Sequence, residues 1–207
     1  MAHANYNANE IIVPGHGTVL VSTKSFAEPF DPKNFDYATN KGIGNGWEPL
    51  QFTSKENPPT IEKEGGEITT LDAWETSSVY SSISELKVSI TATVMAANEK
   101  TLKAAFGDAL DFDSSKGLAK TSGIQATEKS VMVIFAHDGK RAAWYFPRVN
   151  LTLGDFPSIN VEGAYEVQLK GAVLEPTGSA ADDYRLMNFY TPRAYEGAAA
   201  APGAGRA

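Results

Sequence analysis

Cysteine is absent from the 207 residues, which removes disulfides, thiolate metal sites and cysteine nucleophiles together. Long apolar runs are missing too, and nothing approaches the roughly 20 apolar residues of a membrane-spanning helix. Cationic charge is in short supply, with 18 Lys+Arg against 25 Asp+Glu for a net charge of -7. That balance argues against wrapping nucleic acid by phosphate neutralisation, but it suits a surface to which nucleic acid must not stick. Histidine is scarce as well. His3 lies in the opening stretch, His16 in a Gly-rich turn and His137 beside Asp138-Gly139, with no metal-ligand spacing among them. Met1-Ala2-His3 opens a stretch with neither a basic segment nor an apolar core, so no secretory signal is expected.

What is present is ordinary for a globular chain, 42% hydrophobic and 21% charged, at a length that suggests one domain. Residues 1–9 read as a flexible arm, 10–175 as the domain and 176–207 as a C-terminal arm with a low-complexity Ala/Gly end. Strand signals dominate the domain. Ile11-Ile12-Val13 and Thr18-Val19-Leu20-Val21 flank Pro14-Gly15-His16-Gly17 and read as strand, turn, strand. Trp47 to Thr53 and Ile68 to Thr76 are further strand candidates. From Leu86 to Val94 every even residue is apolar and every odd one polar, which buries Val88, Ile90 and Ala92 on one sheet face. Tyr165 to Lys170 alternates with Val167 and Leu169 on the buried side. Val131 to Ala136 is apolar on both faces, as a central strand should be, and Asp138-Gly139 joins it to the apolar run Ala142 to Phe146 as a hairpin.

One helix is expected near 98–106, capped by Asn98, carrying the stripe Leu102, Ala105, Phe106 and ended by Gly107 unless it runs on to Leu110. The sum is a mainly β chain with two packed antiparallel sheets, a sandwich or barrel, and one flanking helix.

The stretch 24–46 has no period of 2 or 3.6, yet it carries Phe26, Phe30, Phe35 and Tyr37 and ends in glycines at 42, 44 and 46. Long structureless loops are usually functional, and four aromatics are too many for a plain linker. The expectation is a loop that docks onto something, the alternative being a local cluster folded back on its own domain. The acids Glu62, Glu64, Glu67, Asp72 and Glu75 line up along one stretch without a catalytic partner and read as an acidic face.

Chemistry-bearing patterns are weak. No G-x-S-x-G elbow occurs, and no helix start follows the glycines at 42, 44 and 46, as a phosphate cradle requires. Asp111, Asp113 and Ser115 have calcium-loop spacing, but the glycine comes one position late and Ser122 replaces the bidentate Glu. No catalytic, cofactor or metal residues are therefore assigned.

The order of segments resembles the major tail tube proteins of long-tailed, siphovirus-type bacteriophages, particularly those infecting actinobacteria. The resemblance rests on the N-terminal strand pair and long loop, then Gly46-Trp47-Glu48-Pro49-Leu50 and Gly65-Gly66-Glu67 leading into Ile68 to Thr76. It continues through the helix from Asn98 to Gly107 and the paired strands with Trp144-Tyr145-Phe146-Pro147 and Tyr165 to Val173. It implies a structural, non-enzymatic virion protein that assembles in the host cytoplasm. Its subunits would form hexameric rings stacked around a tape measure protein and bounded by tail terminator and distal tail proteins. Genome DNA would pass through the lumen without specific binding. Phe26, Phe30, Phe35 and Tyr37 would then contact the next ring, and the acidic run would face the lumen or the outer surface. A small ligand- or carbohydrate-binding sandwich, with Trp47, Trp74 and Trp144 as stacking platforms, stands as the alternative.

Overall fold

The computed structural model describes residues 11–157, 163–178 and 180–196. The expected N-terminal arm, with His3, and the Ala/Gly-rich end lie outside the described residues. The chain is mainly β. In order it forms β1 (His16–Ser22), β2 (Trp47–Pro49), β3 (Thr60–Glu64), β4 (Ile68–Leu71), β5 (Tyr80–Ile83) and β6 (Lys87–Val94). Then follow α1 (Glu99–Phe106), β7 (Leu110–Asp113), β8 (Leu118–Thr121), β9 (Thr127–His137), β10 (Lys140–Leu153), β11 (Val167–Val173), the short α2 (Ala180–Asp183) and β12 (Asn188–Ala194).

Eight strands make one antiparallel sheet in the order β2-β1-β9-β10-β11-β6-β3, with β12 beside β10. β9 and β10 are its spine. Asp138 and Gly139 both take positive φ, 46° and 73°, and close the hairpin that pairs His137 with Lys140. β10 is long enough to serve two neighbours along one edge. Its first half pairs with β12 and its second with β11, and the register shifts between Phe146 and Val149. A bulge bends a strand and increases its twist. The sheet folds over at this place, so its two halves supply the two packed layers. Val19 and Val131 from one half, and Ile90 and Leu169 from the other, line a single gap of only about 10 Å³. Such a space is at the lower limit for one water, and its walls are apolar, so the core is dry. The main core joins Val88, Ile90, Ala92, Val94, Val167 and Leu169 to Val19, Val133, Phe146 and Leu151. The residues named from alternation in β6 and β11 are all there.

The fold is drawn toward closure at one point. Ser54 donates its N–H to the Thr93 carbonyl at 2.8 Å and Met95 donates to Phe52 at 2.9 Å, tying the segment after β2 to the end of β6. α1 packs on this core through Thr101, Ala104 and Ala105. Asn98 Oδ1 accepts from the Thr101 N–H at 3.0 Å, and Gly107 ends the helix at φ 66°. A Cβ at Gly107 would stand 2.2 Å from the Gln125 carbonyl oxygen, so glycine is needed for space as well as for φ. Two details differ from the expected helix. Leu102 is only half-buried, and the chain leaves the helix for a 3-10 turn, Gly107–Ala109, instead of continuing to Leu110.

Three other expectations are corrected. Ile11 to Val13 is not a strand, and Ile11 and Val13 are exposed, because the ladder with β9 starts at His16 opposite Ala136 and β9 turns back just beyond, at Asp138-Gly139. The Tyr165 end of its segment is also exposed, and β11 begins at Val167 and runs on to Val173. The sheet does not stop at 175, since β12 adds to it, and Pro192 is tolerated there because β12 is an edge strand.

Candidate functional site

Catalytic arrangements come first because they are quickly placed. Among the described residues no group of three or more His, Cys, Asp or Glu could hold a metal ion. His137 faces Asp138 at 3.2 Å on the surface. The calcium-like spacing lies on the β7–β8 hairpin. There the Asp113 carboxylate accepts from the Ser115 N–H at 3.1 Å and the Ser115 hydroxyl at 2.6 Å, with the Lys116 ammonium at 3.6 Å. These bonds hold the Asp113 pKa below the ordinary carboxylate value, the Ser115 hydroxyl contributing most. Gly42 packs against the Asn34 backbone and Gly44 against Phe30, while the Gly46 carbonyl accepts from the Thr23 N–H at 2.8 Å. The glycines therefore close a loop.

That loop folds back. Phe35 is fully buried, with Tyr37 edge-on at 4.8 Å between centroids. Phe30 meets Trp47 at 6.3 Å and Phe26 meets Tyr184 at 6.4 Å. Phe35, with Phe30 and Tyr37 beside it, covers the second face of β1, β9 and β10 in a cluster with Leu20, Met132, Ile134 and Tyr145. Buried polar bonds pin the segment. Ala27 donates to Ser130 Oγ at 3.1 Å and accepts from the Tyr145 hydroxyl at 3.0 Å, and Trp47 Nε1 donates to the Glu28 carbonyl at 2.7 Å. Within the subunit Phe35, Phe30 and Tyr37 form the local cluster that the sequence left open as the alternative, while Phe26, Phe30 and Tyr37 keep part of their surface exposed. The three tryptophans sit in different settings. Trp47 is buried in this cluster, Trp144 packs on Phe189 at 4.6 Å, and Trp74 is wholly exposed.

Three surfaces remain. The first is the outer face of β3, β6, β11 and the end of β10. Alternation that buries Val88 to Val94 turns Lys87, Ser89 and Thr91 outward. Cross-strand register sets Glu62, Ser89, Ala172, Asn150 and Glu128 in one row, and Thr60, Thr91, Lys170 and Thr152 in the next. Asp155 and Glu166 line shallow depressions at one end of it together with Thr60, Thr91 and Gln168. The face is hydroxyl-rich and leans acidic, because Arg148 is held by Glu128 at 2.8 Å and Lys87 pairs across from Glu64.

The second surface is the β4–β5 hairpin. β3 and β6 pair up to Glu64 and Lys87, and then Gly65 and Gly66, at φ 75° and 70°, redirect the chain into β4. A Cβ at Gly65 would lie 2.1 Å from the Glu85 carbonyl oxygen. Every residue of β4 and β5 is exposed, including Ile68, Leu71, Tyr80 and Ile83, with Val79 and Trp74 in the connecting turn. Sequence reasoning found a strand at Ile68, which ends at Leu71 and not at Thr76, but had no signal for its isolation, since Ile68 and Leu71 look like core residues. The five acids divide between these two surfaces. Glu62 and Glu64 lie on β3, whereas Glu67, Asp72 and Glu75 lie on the hairpin, where Asp72 Oδ1 accepts from the Ser78 N–H at 2.6 Å.

The third is an apolar cleft of about 800 Å³ between the start of β1, β9 and residues 53–61, floored by Val133, Phe135 and Trp144.

An apolar cleft and a projecting apolar hairpin are surfaces of the kind that mark interaction sites. A family model described as phage tail tube protein matches residues 4–200. The chain belongs to the phage tail tube protein family. No curated protein matches it. Membership makes this tail tube protein a structural component of the virion tail that assembles with itself and other tail parts. No helix among the described residues is long and apolar enough to cross a membrane.

Proposed function

We propose that six copies close a ring by edge pairing, that rings stack into the tail tube, and that the polar face of β3, β6, β11 and β10 lines the lumen. The observation that carries this reading is the free edge of β3 beside that face. β3 ends the sheet order, and among the described strands none pairs its outer side. An unpaired edge is a template for another chain, and in a closed ring each edge finds its neighbour. Joining sheets at β3 extends the hydroxyl-rich face from subunit to subunit. Glu62, Glu64, Asp155 and Glu166 then present negative charge to passing DNA, which repels phosphate and keeps transit free of retention. The other carboxylates of the run, Glu67, Asp72 and Glu75, go with the hairpin to a contact between subunits. Phe26, Phe30, Phe35 and Tyr37 support stacking indirectly, by holding the exposed rim at Ala38 to Lys41 in place.

In this reading the protein performs no catalysis. The tape measure protein occupies the lumen before DNA, terminator and distal tail proteins cap the two ends, and assembly takes place in the host cytoplasm. Negative-stain microscopy of the purified chain tests the reading. Tubes or rings of uniform diameter support it, and small discrete particles at every concentration contradict it.

A further inference from the structure

We infer that the apolar cleft on one subunit receives the β4–β5 hairpin of a second copy, with Trp74 as its anchor; this rests on the tube reading above and names the contact that joins the copies. The two surfaces match in chemistry. Residues 65–86 contain Glu67, Asp72, Glu75 and Glu85 and no Lys or Arg. The cleft is lined by Lys55 and His16 with no Asp or Glu among its described lining residues. Apolar groups match as well, with Ile68, Leu71, Trp74 and Tyr80 exposed on the arm, and Ile61, Val133, Phe135 and Trp144 lining the cleft. The arm has the reach for it, since about eight residues of extended chain from Gly66 to the turn span roughly 25 Å. Tryptophan anchors seated in a desolvated pocket are the usual energetic centre of such contacts.

The absence of cysteine makes the test direct. Ala73→Cys, beside the intact Trp74, and Lys55→Cys are made separately, both at exposed positions, and mixed before assembly. Lys120→Cys, on the exposed β8, is the control partner, and His3→Cys combined with Lys55→Cys in one chain probes the N-terminal residues as a rival occupant. After oxidation, peptide mass spectrometry is expected to find a disulfide between positions 73 and 55, none between 73 and 120, and none between 3 and 55. Trp74→Ala is expected to keep the monomer's circular dichroism and lose tubes. Normal tubes without a 73–55 link would overturn the cleft as the hairpin's seat while leaving the tube reading intact. Equal linking of 73 to 55 and to 120, or a 3–55 link in place of 73–55, would overturn it too. Failure of the unmodified chain to assemble at all overturns both.

Discussion

The Tyr145 hydroxyl donates to the Ala27 carbonyl oxygen at 3.0 Å across 118 residues of sequence, and so joins the long aromatic loop to the middle of β10. Tyr145→Phe leaves that carbonyl buried without its donor. The expected loss is about 1–2 kcal/mol in urea unfolding, with fold and assembly retained. Phe35→Ala, which empties a fully buried site in the same cluster, is expected to cost about 3–5 kcal/mol. Deleting residues 27–44 uncovers Leu20, Met132 and Ile134. The expected product is an unfolded or aggregated chain by circular dichroism; a well-folded deletion variant would show that the loop is dispensable to the subunit.

The same tyrosine sets a pH dependence. Burial pushes the phenols of Tyr145 and Tyr37 above the ordinary value, with Arg141 pulling Tyr37 slightly back. A raised acid pKa means that above about pH 10 the unfolded chain ionises while the folded one does not. Stability contributed by these groups is therefore complete below about pH 10 and falls as pH rises beyond it, by about 1.4 kcal/mol per pH unit for each tyrosine. Urea midpoints measured from pH 8 to 11.5 should fall less steeply for Tyr145→Phe than for the parent.

Ile90 is 2% exposed at the centre of the main core. Ile90→Asp places an unpaired carboxylate there, and a loss of more than about 4 kcal/mol or outright failure to fold is expected. A soluble variant melting at the parental temperature would mean that this face of β6 is not the buried one.

Gly107 and Gly117 both sit at positive φ, 66° and 61°, but only Gly107 is crowded, by the Gln125 carbonyl. Gly117→Ala should cost about 1 kcal/mol for its backbone conformation alone, and Gly107→Ala distinctly more. Thermal melts of the pair, side by side, separate the two contributions.

These particulars show what was legible in the sequence. Local rules worked where a local cause operates, as at Asn98 capping α1, Asp138-Gly139 turning β9 into β10, and alternation in β6. They failed where the cause is tertiary. Ile11 to Val13 has strand composition but lies beyond the point where β9, the partner of β1, turns back, and β12 has an edge to join but an interrupting Pro192. Phe26 to Tyr37 shows no period because its rings pack onto a sheet face set by other strands. The candidate site was half visible. The acidic run and the strand at Ile68 could be read, but the division of the acids between a sheet face and a free hairpin depends on Gly65-Gly66 turning the chain away from β3.

The most direct test of the central claim is a cryo-electron microscopy reconstruction of the assembled chain. The account predicts stacked six-fold rings in which β3 pairs with a strand of the neighbouring subunit and Ser89, Thr91 and Lys170 face the central channel. A reconstruction with that face on the outer wall and β3 unpaired, or a preparation that yields only single subunits, would contradict it.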